Sequence, residues 1–216
     1  MKRRSCLKGV AGLLLATHVL AARAGSYEDW FRYIELDLGR EIQKMLQAGF
    51  DVNTVDPRGQ SGLYLALREG SGTVLPVLLA WPGLAADAEN AMGETPLMMA
   101  ALKGRVEVMN TLIQRGARIN KAGWTPLHYA AAGPSLEAVE LLLARGAVLD
   151  AVAPNGNTPL MMAAGYGAID SARLLLRRGA DARPRNQGGR QAADFADAAD
   201  RTGLAQELRA ATSAAR

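Results

Sequence analysis

His128 is the only histidine between residues 25 and 216, and so the only side chain there with an ordinary pKa near neutrality. A nucleophilic triad or a zinc site would need further His, Cys or carboxylate partners around it. Cys6, the sole cysteine, stands far upstream. Carboxylates do cluster, as Glu28, Asp29, Glu35, Asp37 and Glu41. Paired acids can act as general acid and base, so a carboxylate-dependent hydrolase is the alternative reading. The plainer reading is a solvated, charged end that keeps the molecule soluble. Gly70-Ser71-Gly72-Thr73 is glycine-rich but lacks the Gly-Lys-Ser/Thr of a phosphate loop. Met98-Met99 and Met161-Met162 fall at helical core spacing and read as packing residues, not as metal ligands. The expectation is a protein without catalytic residues, cofactor or metal.

Charge narrows the class further. The formal net charge is +4, but Lys2, Arg3, Arg4, Lys8 and Arg23 all precede residue 25, where no carboxylate stands. Without that segment, 20 cations face 21 anions. The basic balance is therefore no argument for nucleic-acid binding. Residues 1–24 read as a signal peptide, with a basic start, an apolar run of 14 residues from Gly9 to Ala22, and an Ala22-Arg23-Ala24 cleavage pattern before Gly25. The run is shorter than the ~20 residues of a membrane-spanning helix, so no stable membrane insertion is expected after cleavage. Arg3-Arg4 resembles a twin-arginine export signal, with Cys6 where such signals carry a bulky residue; general and twin-arginine export both remain open. Cys6 precedes the apolar run, the reverse of a lipid-attachment site. The expected location is the periplasm of a Gram-negative-like cell.

The elements that would carry any site are repeats. Gly93-Glu94-Thr95-Pro96-Leu97-Met98-Met99-Ala100-Ala101, Gly123–Ala131 and Gly156-Asn157-Thr158-Pro159-Leu160-Met161-Met162-Ala163-Ala164 align at offsets of 30 and 33. Each is followed by an apolar stretch closing in Arg-Gly-Ala, at Arg115, Arg145 and Arg178. Weaker copies lie at Gly59–Leu67 and Gly189–Ala196, and a partial one begins at Trp30. Six helix pairs are predicted. Thr caps the first helix of a unit, and Pro occupies its first turn, where a missing N–H costs nothing. Leu-x-x-Ala-Ala lets a neighbouring helix approach closely. The second helix is rich in Leu, and the glycine after it suits the left-handed conformation that ends a helix.

Thr125-Pro126-Leu127-His128-Tyr129-Ala130 carries every specified position of the T-P-L-H-x-A signature, and the chain resembles the ankyrin-repeat family over about residues 27–212. The resemblance implies an all-α ankyrin-repeat solenoid of stacked helix-turn-helix units with short β-hairpin or turn connections. The expected units are residues 25–58 (N-terminal cap), 59–92, 93–122, 123–155, 156–188 and 189–216 (C-terminal cap and tail). It also implies that His128 hydrogen-bonds between adjacent turns. Three departures stand out: Ser61-Gly62 replaces Thr-Pro, Pro76 and Pro82 should interrupt or follow their helix, and the Ile119–Gly123 connection is about three residues short.

What the family resemblance implies for function is protein binding by a monomer, through hairpin tips and the exposed side of the first helices. The tip positions are Pro57, Arg58, Gln60, Met92, Glu94, Trp124, Asn155, Asn157, Gln187 and Arg190; the first-helix positions are Arg68, Glu69, Leu102, Lys103 and Tyr166. Trp124 is the expected centre, forming an apolar strip with Leu102 and Tyr166 if it points outward; the alternative is that it folds over a neighbouring hairpin. Arg115, Arg145 and Arg178 form either a basic stripe for an acidic partner or helix-end charge beside free carbonyls.

Overall fold

The computed structural model describes residues 26–214, and among them it contains twelve helices and a single isolated β-bridge, Val55 to Ser61. The helices are α1 (26–35), α2 (Gly39–Gln47), α3 (Gly62–Glu69), α4 (Val74–Ala80), α5 (Pro96–Leu102), α6 (Val106–Gln114), α7 (Pro126–Ala132), α8 (Leu136–Ala144), α9 (Pro159–Gly165), α10 (Ile169–Arg177), α11 (Ala192–Ala198) and α12 (Thr202–Ala214). They form six consecutive pairs. First helices stack in the order α3, α5, α7, α9, α11, and second helices stack α2 on α4 and α6 on α8 on α10. The leader expected at 1–24 lies outside the described residues.

The stack follows from the small residues. Ala100-Ala101, Ala130-Ala131 and Ala163-Ala164 are fully buried, as are Leu97, Leu127 and Leu160 beneath them. Each buried leucine contributes about 2 kcal/mol. Helix ends are closed as the sequence predicts. The Met98 N–H donates to Thr95 Oγ1 at 3.3 Å, and the Met161 N–H to Thr158 Oγ1 at 3.4 Å. At the far end, the Ala117 N–H donates to the Leu112 carbonyl and the Gly116 N–H to that of Ile113. This is the Schellman arrangement, and Gly116 supplies its positive φ of 90°.

Two departures from the repeat have local reasons. A Cβ at Gly62 would meet Ile34 Cδ1 at 2.8 Å and the Trp30 ring at 3.0 Å. Glycine replaces proline there so that fully buried Trp30 of α1 can lie against α3. Pro76 does not interrupt its helix, contrary to expectation. It is the third residue of α4, where a backbone N–H has no intrahelical acceptor to lose.

The short connection is the largest irregularity. Only residues 115–125 separate α6 from α7, against 14 or 15 residues at the corresponding loops. Four loops close a tight hairpin: the N–H groups of Gly59, Gly93, Gly156 and Gly189 donate to the carbonyls of Asp56, Asn90, Ala153 and Asn186. The loop at 119–124 has no such turn. Its Asn120 donates from Nδ2 to the Gly146 carbonyl and accepts the Val148 N–H, both across to the next unit, as Asn53 does to Gly83 and Ala85.

Candidate partner interface

The hairpin tips are built by local hydrogen bonds. Asp56 Oδ1 accepts the N–H groups of Arg58 and Gln60, and Asn90 Oδ1 those of Met92 and Glu94. Asn186 Oδ1 likewise accepts from Gly188 and Arg190. Neighbouring tips then join through the Ala91 N–H to the Arg58 carbonyl and the Gln187 N–H to the Asn155 carbonyl. The equivalent bond is missing on both sides of the short loop, where Pro154 has no N–H to give and Lys121 sends its ammonium to the Gly93 carbonyl at 2.6 Å. The row of tips is thus notched at its middle.

Beneath that notch one carboxylate joins three units. Glu94 Oε2 accepts from the Tyr64 hydroxyl at 2.6 Å and from Asn90 Nδ2 at 2.8 Å, while Oε1 accepts from the Tyr129 hydroxyl at 2.7 Å. Burial pushes the Glu94 carboxyl upward, but the hydrogen bonds from Tyr64, Asn90 and Tyr129 outweigh it and hold the group below its ordinary range. Burial and the adjoining carboxylate raise both tyrosine hydroxyls, which therefore stay protonated donors. None of this was visible in the sequence reading, which placed Glu94 at an exposed tip and singled out neither tyrosine.

The next junction uses the same geometry without charge. His128, like Tyr64 the third residue of its helix, is fully buried. Its Nδ1 accepts the Thr125 N–H at 3.2 Å, so Nε2 carries the proton donated to the Asn157 carbonyl at 3.1 Å. The expected inter-turn role of this ring is what the geometry shows. Desolvation by burial lowers its pKa, which keeps it neutral.

The remaining candidate residues divide by exposure. Met92 and Tyr166 are 73% and 63% exposed, and Arg58, Glu69, Lys103, Asn155 and Arg190 are also exposed. Gln60 and Asn157 are only 8% and 7% exposed, correcting the expectation that they face outward. Each immediately precedes a helix cap, at the base of its hairpin, where neighbours engage it. Arg68 donates to Gln60 Oε1, and Asn186 to Asn157 Oδ1. Trp124 is half-buried, so it does not point freely outward. It packs edge-on against His128 and Tyr129 of its own helix, with ring centroids 5.2 and 6.4 Å away. Tyr166 meets Phe195 instead, and Leu102 packs on the core, so the three do not form one contiguous strip. Arg190 lies over the Phe195 ring at 4.2 Å. Arg115 reaches back to the Trp81 carbonyl at the end of α4, as the helix-end reading of the arginine series expects, while Arg145 reaches Asn110 Oδ1 in the middle of α6.

Three of the five N-terminal carboxylates have partners within the protein. Asp29 pairs with Arg32, Glu41 with Lys44, and Asp37 accepts the N–H groups of Gly72, Thr73 and Val74 at the start of α4. An open cavity of about 330 Å³ nearby is lined by Ser26, Met45, Ala48, Gly49 and Phe50, without an acid. Among the described residues no three His, Cys, Asp or Glu side chains are grouped to hold a metal ion, and no helix is long and apolar enough to cross a membrane.

Comparison with known proteins agrees with this architecture. The ankyrin-repeat pattern, in three copies, matches residues 37–122 and 119–186. The chain belongs to the ankyrin-repeat family. It is 33% identical over 90 residues, 40% of its length, to the poly(ADP-ribose) polymerase tankyrase of Caenorhabditis elegans, of which it spans 4%. Among solved structures it is similar to a chain in the complex of the Bd0816 predatory endopeptidase from Bdellovibrio bacteriovorus with immunity protein Bd3460. That match has a TM-score of 0.69 and 25% identity, covering 84% of this chain and 96% of the other.

Proposed function

We propose that this protein is a non-enzymatic binding module that works in the periplasm, holding a protein partner against its hairpin tips and first helices. One observation carries the reading. The residues that hold the stack together, such as Leu127, His128 and Ala130, are buried, whereas Met92 and Tyr166 are large, apolar and exposed on the tip and first-helix side. Both leave most of their surface in water, Tyr166 although its ring meets Phe195, and tyrosine is among the side chains that carry most of the energy of protein–protein contacts.

Within that class, an inhibitor or immunity factor is the favoured role, ahead of scaffold or chaperone-like partner. The support is the likeness to a chain in an endopeptidase–immunity protein complex, over nearly that chain's whole length. The leader read at 1–24 is the support for export, with neither nucleic acid nor membrane as partner. Affinity capture from a periplasmic extract tests the reading, comparing the unaltered protein with a Met92→Ala, Tyr166→Ala double variant. Capture of a discrete protein that the double variant loses is the expected result. Retention of the same protein by the variant would remove this face as the site, and recovery of the full-length chain in the cytoplasm alone would remove the location.

A further inference from the structure

We propose that the notch over the short 119–124 loop receives a lysine or arginine side chain of the protein partner, with Glu94 as counter-charge and the Tyr129 and Trp124 rings as its wall. This deepens the function proposed above and rests on the same face.

Glu94 is bound by three neutral donors and by no cation. The nearby cations are committed elsewhere. Arg68 donates to Glu69 and Gln60, Arg118 pairs with Asp87 and Glu89, and Lys121 pairs with Glu89 and donates to the Gly93 carbonyl. Oε1 receives only the Tyr129 hydroxyl, and a carboxylate oxygen has room for a second donor. The charge is thus maintained but unpaired, and it is only partly buried.

Glu94 is only partly buried, and the loop next to it closes no hairpin over it. Ala122 is exposed, and Trp124 and Tyr129 are partly exposed beside it. A partner that covered the notch with apolar surface would strip water from an unpaired charge, which costs several kcal/mol. A partner that brought a cation would gain a charge-assisted hydrogen bond, strengthened by contact with the aromatic faces. The chemistry of the notch therefore selects for a basic side chain.

The test is titration of the purified protein with the methylamides of N-acetyl-arginine and N-acetyl-lysine, with the citrulline and norleucine analogues as neutral counterparts. The indole N–H signal of Trp124 is the reporter, and that of buried Trp30 reports the fold. Both cationic probes should give a saturable shift in the millimolar range, and Glu94→Gln should weaken it about tenfold. A second variant, Trp124→Leu, leaves the carboxylate in place and should weaken binding about threefold, read on the Tyr129 ring. An equal response to the neutral probes, or an unchanged response in Glu94→Gln with the Trp30 signal intact, overturns the proposal. If Glu94→Gln loses the Trp30 signal, Trp124→Leu decides by the same criterion. Failure here leaves the periplasmic capture experiment free to succeed, so the two readings fall separately.

Discussion

Two junctions in the array use one geometric device for different ends. At α7 the third helical residue, His128, reaches forward to the Asn157 carbonyl; at α3 the third residue, Tyr64, reaches forward to the Glu94 carboxylate. The first contact is neutral and wholly buried. The second is charged and met from the opposite side by Tyr129. The equivalent positions in α5 and α9 carry Met98 and Met161, buried and without a polar partner beyond the unit. Stacking alone therefore does not require polarity at this position. The histidine junction serves register and stability, while the ionised Glu94 stands where other units carry Gln60, Trp124, Asn157 and Arg190, so stacking does not demand a carboxylate there and its retention points to a use outside the fold.

The comparison breaks most strongly at Glu94. Glu94→Ala leaves the buried Tyr64 hydroxyl without its acceptor and unties three units at once. Urea denaturation should show a loss of about 3 kcal/mol, the cost of stranding a buried donor and removing its partners' hydrogen bonds. His128→Met installs the residue of the neighbouring units, strands the Thr125 N–H and takes one of two donors from the Asn157 carbonyl, so about 1–2 kcal/mol is expected at neutral pH.

Acid separates the two junctions further. His128 has a lowered pKa in the fold, so below about pH 6.5 the unfolded chain binds a proton that the folded chain refuses. Its contribution is complete above that pH and is lost as pH falls, with a slope of at most ~1.4 kcal/mol per unit. Glu94, also lowered, contributes above its unfolded pKa of about 4.3 and loses that contribution only at lower pH. Melting temperature followed from pH 7.5 to 5 should therefore fall for the natural sequence and flatten in His128→Met, with Glu94→Gln unchanged in that window. An equal slope in His128→Met would remove the histidine from the account.

The two junctions were unequally legible in the sequence. The Thr-Pro starts and Arg-Gly-Ala ends are local signals repeated in phase, so helices and caps emerge from spacing, and the match to a known signature adds the family. His128 belongs to the same local signature. Tyr64, Glu94 and Tyr129 occupy three different positions of three units, and nothing in one unit announces that stacking brings their oxygens within 2.7 Å. The burial of Asn157 likewise depends on Asn186 of the following hairpin. The direction of Trp124 stays open in the sequence for a related reason. Its direction is set by a loop three residues short, and a deletion is readable as a length but not as a new course for the chain. Pro76 shows the reverse case, since a proline breaks a helix only beyond its first turn and the start of α4 carries no strong cap signal in the sequence.

The smallest expected effect on stability is also the one that sharpens the contrast most. Inserting three residues at 119–124, so that the connection from α6 to α7 matches the 14 residues between α8 and α9, should restore a hydrogen-bonded turn and the tip-to-tip contact with the Met92 carbonyl. The loop is on the surface, and doubling a loop's length costs only ~0.6 kcal/mol in closure entropy, offset here by the turn's own hydrogen bonds. Denaturation should therefore move by less than about 0.5 kcal/mol. The restored hairpin would stand over Tyr129 and Glu94, and the arginine-probe titration should lose most of its amplitude. Stability and access to Glu94 would then be separated in one variant. If the probe response survived with the hairpin rebuilt, the notch would not be the route to the carboxylate, and the irregular loop would be only a shortened connection tolerated by the stack.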